Sequence, residues 1–235
     1  MAAIERVIAE DAIRVLDHGF VRLDGAMADD LSVVNAARVS FGRRKEQLDE
    51  ADEGLIRFLM RDRHGTPFEH NSFRFHIRTP IFVAREWFRH RVGSFNEFSM
   101  RYAKATDDFY VPEPEDVRSQ VGKPGAYSFE PVDDELAERT REELREVYES
   151  AFATYERLVE AGVARELARA VMPVGAYTEF FWTVNARALM NFVSLRAADT
   201  AQREIRHYAS AVEEFFAQKM PVTHAAFVAA GRVAP

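Results

Sequence analysis

A long run of helical periodicity that begins at Asp133 constrains the fold more than any other feature of this sequence. Apolar residues recur there every three or four positions, with charged residues on the opposite face; the apolar set is Leu136, Leu144, Val147, Tyr148, Ala151, Phe152, Tyr155, Leu158 and Val159. Asp133 suits the start of a helix and Gly162 suits its end. The pattern predicts the longest helix of the chain. With 235 residues, 47% of them apolar, and no compositional boundary, we expect a single domain over residues 1–235.

Shorter patterns predict the remaining elements. Alternating or β-branched and aromatic residues predict strands on both sides of His18-Gly19 within Ala12–Met27, in Phe68–Ile77 and in Tyr177–Val184. Helical spacing predicts helices in Asp29–Arg38, Asp49–Arg61, Ile81 to about His90, Ala164 to about Met172, Asn185–Leu195 and Thr200–Lys219. Tyr110–Pro131 carries four prolines and two glycines, which indicates a loop. The expected fold class is α+β, rich in helices and with a small sheet.

The charge balance and the absence of cysteine exclude several kinds of site. The formal net charge is −7, so an anionic ligand needs a local cluster of arginines, and we expect no nucleic-acid partner. Without cysteine the chain has no disulfide, no thiolate metal site and no thiolate nucleophile. No stretch approaches the roughly 20 uncharged apolar residues of a membrane span, so we expect a cytoplasmic protein without a membrane partner.

Functional side chains are densest in Arg85–Tyr102. The basic run Arg89-His90-Arg91 falls where a helix is expected to end, so one interpretation is that it faces water and favours the helix dipole. The following tract, Ser94–Met100, alternates polar with apolar residues, which is typical of the lining of a polar pocket. Guanidinium forks match phosphate geometry, so this segment predicts a site for a phosphorylated small molecule. The interleaved Glu86 and Glu97 disfavour a nucleic-acid surface.

Other polar residues give weaker signals. His64, His70 and His76 match no metal-ligand spacing, so no metal is expected. Arg187 and Asn191 lie four residues apart on one helix face and could hydrogen-bond a planar heterocycle, although both could equally be solvated.

Motifs for binding phosphates or for nucleophilic catalysis are absent. The sequence contains neither G-x-G-x-x-G nor G-x-x-x-x-G-K-[ST], so a flavin or nucleotide needs another architecture. Ser99 lacks the G-x-S-x-G setting of a nucleophilic serine.

The spacing of the basic run and Ser99 resembles a known signature. Arg89-His90-Arg91, seven residues and then Ser99 is similar to the R-H-R-x7-S motif of flavin-dependent thymidylate synthases. The resemblance extends from the Gly19 hairpin to about Phe227 and includes His64–His70 and Phe181–Arg196. It implies the mixed α/β domain of that family, assembled as a homotetramer whose active sites take residues from more than one subunit.

The resemblance also implies roles for individual residues. Carried over by position, the dUMP site comprises Glu86, Arg89, Glu97, Phe98, Ser99, Met100, Arg101, Arg169 and Arg196. The FAD site comprises His64, Thr66, Arg89, His90, Arg91, Glu97, Asn185, Ala186, Arg187 and Asn191. Arg196 and Ser99 are the catalytic candidates: Arg196 would stabilise negative charge on the uracil ring, and Ser99 would polarise rather than attack.

The implied reaction is the reductive methylation of dUMP to dTMP. FAD carries the hydride, NADPH is the reductant and methylenetetrahydrofolate donates the carbon. The absence of cysteine agrees with this reaction, because the unrelated thymidylate synthases attack uracil with a thiolate. Two alternatives remain open at this point: a uracil-methylating flavoprotein with another substrate such as tRNA, and a non-catalytic nucleotide-binding protein.

Overall fold

A five-stranded antiparallel sheet forms the centre of the molecule, whose computed structural model describes residues 12–123 and 125–235. Its strands are β1 (Ala12–Val15), β2 (Gly19–Met27), β3 (Ser72–Pro80), β4 (Ser94–Glu97) and β7 (Tyr177–Asn185), arranged in the order β1-β2-β3-β7-β4. A separate two-stranded sheet pairs β5 (Arg118–Lys123) with β6 (Ala126–Pro131). The edge hairpin, the small sheet and the α+β class are as the sequence predicts.

Eight helices surround the central sheet in the part of the chain that the structure describes. They are α1 (Asp30–Arg38), α2 (Glu50–Arg61), α3 (Ile81–Trp87), α4 (Asp134–Glu160), α5 (Arg165–Ala168), α6 (Ala186–Arg196), α7 (Arg203–Lys219) and α8 (Pro221–Ala229). Short 3-10 turns cover Val39–Phe41, Thr66–His70, Pro114–Asp116 and Arg169–Val171. No described helix is long and apolar enough to cross a bilayer.

The core lies between the sheet and the helices and is dominated by aromatic side chains. Phe73, Phe75 and Ile77 alternate along β3 and are fully buried, as their period of two predicts. The Trp87 ring on α3 lies 5.4 Å from Trp182 on β7 and 4.6 Å from Phe192 on α6. Such contacts add to the area burial of each ring, so they fix α3 and α6 firmly against the sheet. The ends of these elements therefore form a rigid frame for neighbouring polar residues.

Several predicted boundaries are wrong for identifiable reasons. The α3 helix ends at Trp87 instead of near His90, so Arg89-His90-Arg91 follows the helix and does not occupy its last turn. The strand predicted from Phe68 begins only at Ser72, because Pro67 lies within a 3-10 turn.

Other elements are absent from the sequence prediction. The predicted loop Tyr110–Pro131 contains the β5-β6 hairpin, where Gly122 and Gly125 adopt positive φ angles of 103° and 86° that allow the chain to reverse. Neither β4 nor α8 was expected, and α7 begins at Arg203, three residues after the predicted start at Thr200.

Candidate active site

A cavity of about 820 Å³ lies where the segment after α3, the start of α6 and the loop after α2 meet. The predicted site residues that line it are Arg89, His90, Arg91, Asn185, Arg187, Asn191 and Arg196. We call this region the arginine cavity, because Arg63, Arg89, Arg91, Arg187 and Arg196 all line it. The fold thus brings together residues that lie more than a hundred positions apart in the sequence.

The arginine cavity carries excess positive charge in an acidic protein. Glu69 has the one side-chain carboxylate among its described lining residues, and its Oε1 accepts a hydrogen bond of 2.6 Å from Arg187 Nη1. The side chains of Arg63, Arg89 and Arg91 make no hydrogen bond or ion pair with any residue in the described ranges. Unpaired guanidinium groups at the wall of a cavity match phosphate or pyrophosphate oxygens. The residues present therefore fit a phosphorylated cofactor such as FAD.

The start of α6 orients the heterocycle-binding candidates. Asn185 ends β7 and caps α6, its Oδ1 accepting a 2.8 Å hydrogen bond from the Ala188 backbone N–H, as the sequence predicts. Arg187 and Asn191 follow on the same helix face, and both line the arginine cavity. Arg187 Nε also donates to a main-chain oxygen of Pro235, the last residue of the sequence, at 2.7 Å. A Cβ added at Gly65 would approach Arg187 Nε to 2.4 Å, so glycine there leaves room for the guanidinium.

Arg196 is held by three hydrogen bonds at the end of α6. Its Nη1 donates to Glu86 Oε2 at 2.9 Å, its Nη2 to the Glu86 carbonyl oxygen at 3.1 Å, and its Nε to His90 Nε2 at 2.9 Å. Only 18% of the Arg196 side chain is exposed. The Glu86 carboxylate is thereby paired, so it does not stand as an isolated negative charge beside an anionic ligand.

His90 is neutral in this arrangement. Burial, with the positive charges of Arg196 and Arg89, lowers the pKa of His90 from 6.5 to about 4. The hydrogen bond from Arg196 Nε requires a lone pair on His90 Nε2, which only the neutral ring with its proton on Nδ1 supplies. The two observations agree, and they make His90 an acceptor that orients Arg196.

A second group of predicted residues lies at the other end of β4. Ser94 pairs with Thr183 and Glu97 with Phe180, so β4 carries the chain along β7 away from the arginine cavity by about 10 Å, at roughly 3.3 Å per residue. At that end Glu97 Oε1 accepts a 2.8 Å hydrogen bond from the Thr178 hydroxyl.

The chain then turns at Ser99–Tyr102, which we call the Ser99 turn. The Ser99 carbonyl accepts hydrogen bonds of 3.1 Å from the backbone N–H groups of Tyr102 and Ala103. The Ser99 hydroxyl accepts a 3.3 Å hydrogen bond from the Arg101 backbone N–H. No described residue supplies a base to this hydroxyl, which supports a polarising role over a nucleophilic one.

Two predicted arginines meet beside the Ser99 turn. Arg101 Nη2 lies 3.3 Å from Glu166 Oε2, and Arg169 Nε donates to the Glu166 carbonyl oxygen at 3.3 Å. Both arginines are exposed and neither lines the arginine cavity. The predicted dUMP residues are therefore divided between two regions of the chain.

The remaining predicted residues lie outside the arginine cavity. The His64 ring lies 5.5 Å from Phe58, Thr66 begins a 3-10 turn, and Ala186 is buried at the start of α6. The Phe98 backbone N–H donates to the Glu179 carbonyl oxygen at 2.8 Å, and Met100 packs beside a small core cluster that includes Tyr155. None of these residues lines the arginine cavity.

The structure adds residues to the arginine cavity that the sequence did not indicate. Arg63, Ala234 and Pro235 line it. Arg63 follows α2 without any recognisable motif, and only its unusual backbone, with φ of 57°, distinguishes it. Among the described residues no cluster of three or more His, Asp or Glu side chains is arranged to hold a metal ion.

Fold and site together define a class: an α+β protein with an arginine-rich cavity that suits phosphorylated, heterocycle-bearing ligands, and with neither a Rossmann turn nor a P-loop. Comparison with known proteins narrows the class. Residues 22–222 match the family model Thy1, described as thymidylate synthase complementing protein. The chain belongs to the flavin-dependent thymidylate synthase family. The resemblance inferred from the arginine-serine signature is confirmed.

Individual relatives are similar over almost the whole chain. The flavin-dependent thymidylate synthase of Thermosipho africanus is 46% identical over 92% of this chain and 93% of its own length. That of Thermotoga neapolitana is 47% identical over 92% and 94%. A crystal structure of the UMP/dUMP methylase PolB from Streptomyces cacaoi bound with 5-Br dUMP superposes with a TM-score of 0.87 at 44% identity, covering 95% of this chain and all of that one.

Proposed function

We propose that the arginine cavity and the Ser99 turn together catalyse the reductive methylation of dUMP to dTMP, with methylenetetrahydrofolate as carbon donor and NADPH as reductant. Family membership gives the enzyme class, a flavin-dependent methyltransferase, and the cofactor FAD. When bound, FAD supplies the hydride that converts the transferred carbon into a methyl group. The excess of unpaired arginines in a protein of net charge −7 carries the proposal.

Arg196 is the residue we assign to the uracil ring. Attack at the ring places negative charge on the uracil oxygens, and a guanidinium fixed in advance stabilises that charge without reorganising. Glu86 and neutral His90 hold Arg196 in a single orientation through the three hydrogen bonds described above. The Arg196 guanidinium is thus a cation fixed between two acceptors, Glu86 on one side and His90 on the other.

The remaining charged residues are assigned to phosphate groups and ring edges. Arg89 and Arg91 have no described partner and are free to bind the FAD pyrophosphate or the dUMP phosphate. Arg187 and Asn191 are assigned to the flavin, and Arg101 and Arg169 to the nucleotide phosphate. Ser99 donates or accepts a hydrogen bond at the pyrimidine and forms no covalent bond.

A homotetramer with shared active sites is part of this proposal. The division of the dUMP residues between the arginine cavity and the Ser99 turn supports it, because β4 keeps the two regions of one chain apart. A site assembled from the arginine cavity of one subunit and the Ser99 turn of another would contain the full set.

An anaerobic flavin assay tests the function. The purified protein is incubated with NADPH, flavin bleaching is followed with and without dUMP, and methylenetetrahydrofolate is then added before dTMP is measured. We expect faster bleaching with dUMP and formation of dTMP. Parallel reactions with UMP and with uracil-containing tRNA identify a different substrate: if the flavin is reduced but only one of these is methylated, the proposed substrate is wrong. An absence of bound FAD would favour a non-catalytic nucleotide-binding protein.

A further inference from the structure

The arginine cavity adjoins, at Arg63, a groove between α2 and α8. A second cavity of about 670 Å³ shares Arg63 with the arginine cavity and lies against small residues of α8. A third cavity, of about 280 Å³, shares Arg57 with the second. We call these two adjoining cavities, from Arg63 to Arg57, the basic groove. Because Arg63 lines both the basic groove and the proposed flavin site, ligands in the two places would lie next to each other.

Three arginines line the basic groove, and one of them is uncompensated. Arg61 pairs with the exposed Asp62 through hydrogen bonds of 2.7 and 3.1 Å, and Arg57 lies 3.4 Å from Glu53. Arg63 has no ionic partner among the residues that the structure describes. Arg57 and Arg61 are separated by one helical turn, or about 6 Å. The groove therefore presents a row of donors with net positive charge.

The backbone at Arg63 is also unusual. Its φ of 57° is a left-handed conformation, which glycine adopts more easily than any residue with a side chain. Arg63 occupies the first position after the α2 cap, where its N–H donates to the Met60 carbonyl at 3.2 Å and the next N–H to Leu59 at 2.9 Å. A helix end of this kind commonly has glycine at this position. An arginine in its place favours the helix dipole but strains the backbone more than glycine would, which points to a use for its guanidinium.

Phe58 gives the basic groove an aromatic wall. The Phe58 side chain is 41% exposed, its ring lies 5.5 Å from the His64 ring, and the Arg61 guanidinium lies 5.4 Å from its centroid. An aromatic ring of a ligand could pack against this pair before a charged tail reached the arginines. The groove thus combines an exposed aromatic ring with cationic side chains in one lining.

We propose that the basic groove binds the p-aminobenzoyl-glutamate tail of the tetrahydrofolate donor, and that Arg63 and Arg57 favour donors with several γ-linked glutamates. This inference rests on the proposed use of a tetrahydrofolate as carbon donor. Each glutamate adds one carboxylate, which matches a row of arginines, and the benzoyl ring matches the aromatic wall. The phosphates of NADPH are also anionic, but they are not a chain of carboxylates that lengthens beyond an aromatic ring, which is the pattern that the row of arginines and the aromatic wall match.

Direct binding tests the proposal independently of turnover. We would measure the Kd of 5-formyltetrahydrofolate with one glutamate and with three, using the FAD-bound protein and dUMP. In the unsubstituted protein we expect the triglutamate to bind about tenfold more tightly, as one or two charge-assisted hydrogen bonds predict. Arg63→Gly suits the left-handed backbone, so it removes the guanidinium without disturbing the fold, and it should abolish most of this difference. Arg57→Ala should reduce it further.

A control on another helix separates the groove from a general charge effect. Arg139 is exposed on α4 and lines none of these cavities, so Arg139→Ala should retain the full preference for triglutamate. Equal affinity for the two tails, or a preference that survives Arg63→Gly and Arg57→Ala together, would overturn the proposal. If Arg63→Gly and Arg57→Ala raised the KM for NADPH and left folate affinity unchanged, the groove would be assigned to the reductant instead. A changed oligomeric mass in Arg57→Ala would assign it to a subunit interface.

These experiments distinguish a failure of the proposed function from a failure of the proposed role of the basic groove. Formation of dTMP from the monoglutamyl donor tests the reaction, and it does not require the groove. The difference in Kd between the two tails tests the groove, and it does not require the reaction. Loss of one result with retention of the other therefore identifies which inference is wrong.

Discussion

The arginine cavity and the Ser99 turn differ in how firmly one chain holds their functional groups. Arg196 is 18% exposed and makes three hydrogen bonds, whereas Arg101 is 51% exposed and has a single ionic contact with an equally exposed glutamate. A buried, multiply bonded cation is oriented before ligand arrives, and an exposed pair contributes little to orientation. The comparison indicates that the chain orients Arg196 before ligand arrives and leaves Arg101 free to reorient.

The largest expected effect comes from removing the oriented cation. Arg196→Ala should reduce kcat by about 10²–10³ while FAD stays bound, because charge stabilisation is lost but the flavin contacts are not. Steady-state dTMP formation and the flavin absorbance of the purified variant measure the two quantities. Normal turnover would contradict the assigned role, and loss of the flavin would show that Arg196 supports the cofactor instead.

Mixing two inactive variants tests whether the two regions act across subunits. Arg101→Ala removes the arginine of the Ser99 turn, and Arg196→Ala removes that of the arginine cavity. After denaturation and joint refolding of equal amounts, subunits assemble at random, so about a quarter of the shared sites should contain both arginines. The activity of the mixture should greatly exceed that of either variant refolded alone. No recovery in a properly assembled mixture would mean that both arginines act from the same subunit.

The position of Arg187 depends on a glycine, and replacing it should weaken flavin binding. In Gly65→Ala the added Cβ would meet the mobile end of Arg187, which can move, so the fold should persist while FAD affinity falls by about tenfold. Gly65 has φ of −72°, so backbone strain does not contribute. Fluorescence titration with FAD and a urea unfolding curve check the two parts, and an unchanged FAD affinity would remove Arg187 from the flavin site.

Acid should affect the arginine cavity through His90. The folded-state pKa of His90 lies near 4 and its ordinary value is 6.5, so the unfolded chain binds more protons between these values. The contribution of His90 to stability is therefore constant above pH 6.5 and declines as pH falls toward 4. His90→Gln keeps an acceptor for Arg196 but cannot titrate. The difference in urea midpoint between the two proteins should change across this pH window, and a constant difference would contradict the lowered pKa.

The smallest effect is expected at Ser99. Since its hydroxyl has no described base, Ser99→Ala should lose only a hydrogen bond and retain activity within about tenfold of the unsubstituted enzyme. Rapid-quench mass spectrometry provides the stricter check, because a covalent adduct between Ser99 and uracil would refute the polarising role.

Sequence reasoning succeeded where the signal is local. The alternation of Phe73, Phe75 and Ile77 and the N-cap at Asn185 depend on neighbouring residues, and both are found in the structure. The strand β4 was missed because its four polar and aromatic residues become a strand only by pairing with β7, some 85 positions later in the chain.

Residues whose position depends on tertiary contacts were also missed. The helix α8 is apolar on most faces and so lacks the period of an amphipathic helix. Arg63 lines the arginine cavity and has a positive φ angle, and no local sequence pattern predicts that backbone conformation. The division of the dUMP residues between two regions could not be predicted either, since it follows from the direction of β4 along β7.

Because β4 pairs with β7, its length fixes the position of the Ser99 turn, so residues cannot be inserted in β4 without moving that turn. Inserting two residues in β4 would keep every side chain on its own face but displace the Ser99 turn by about 7 Å, more than any hydrogen bond can span. An insertion near Gly42, in an exposed connection before α2, would leave both ends of β4 where they are. Loop grafting or tagging is therefore compatible with the Gly42 connection and incompatible with the four residues Ser94–Glu97.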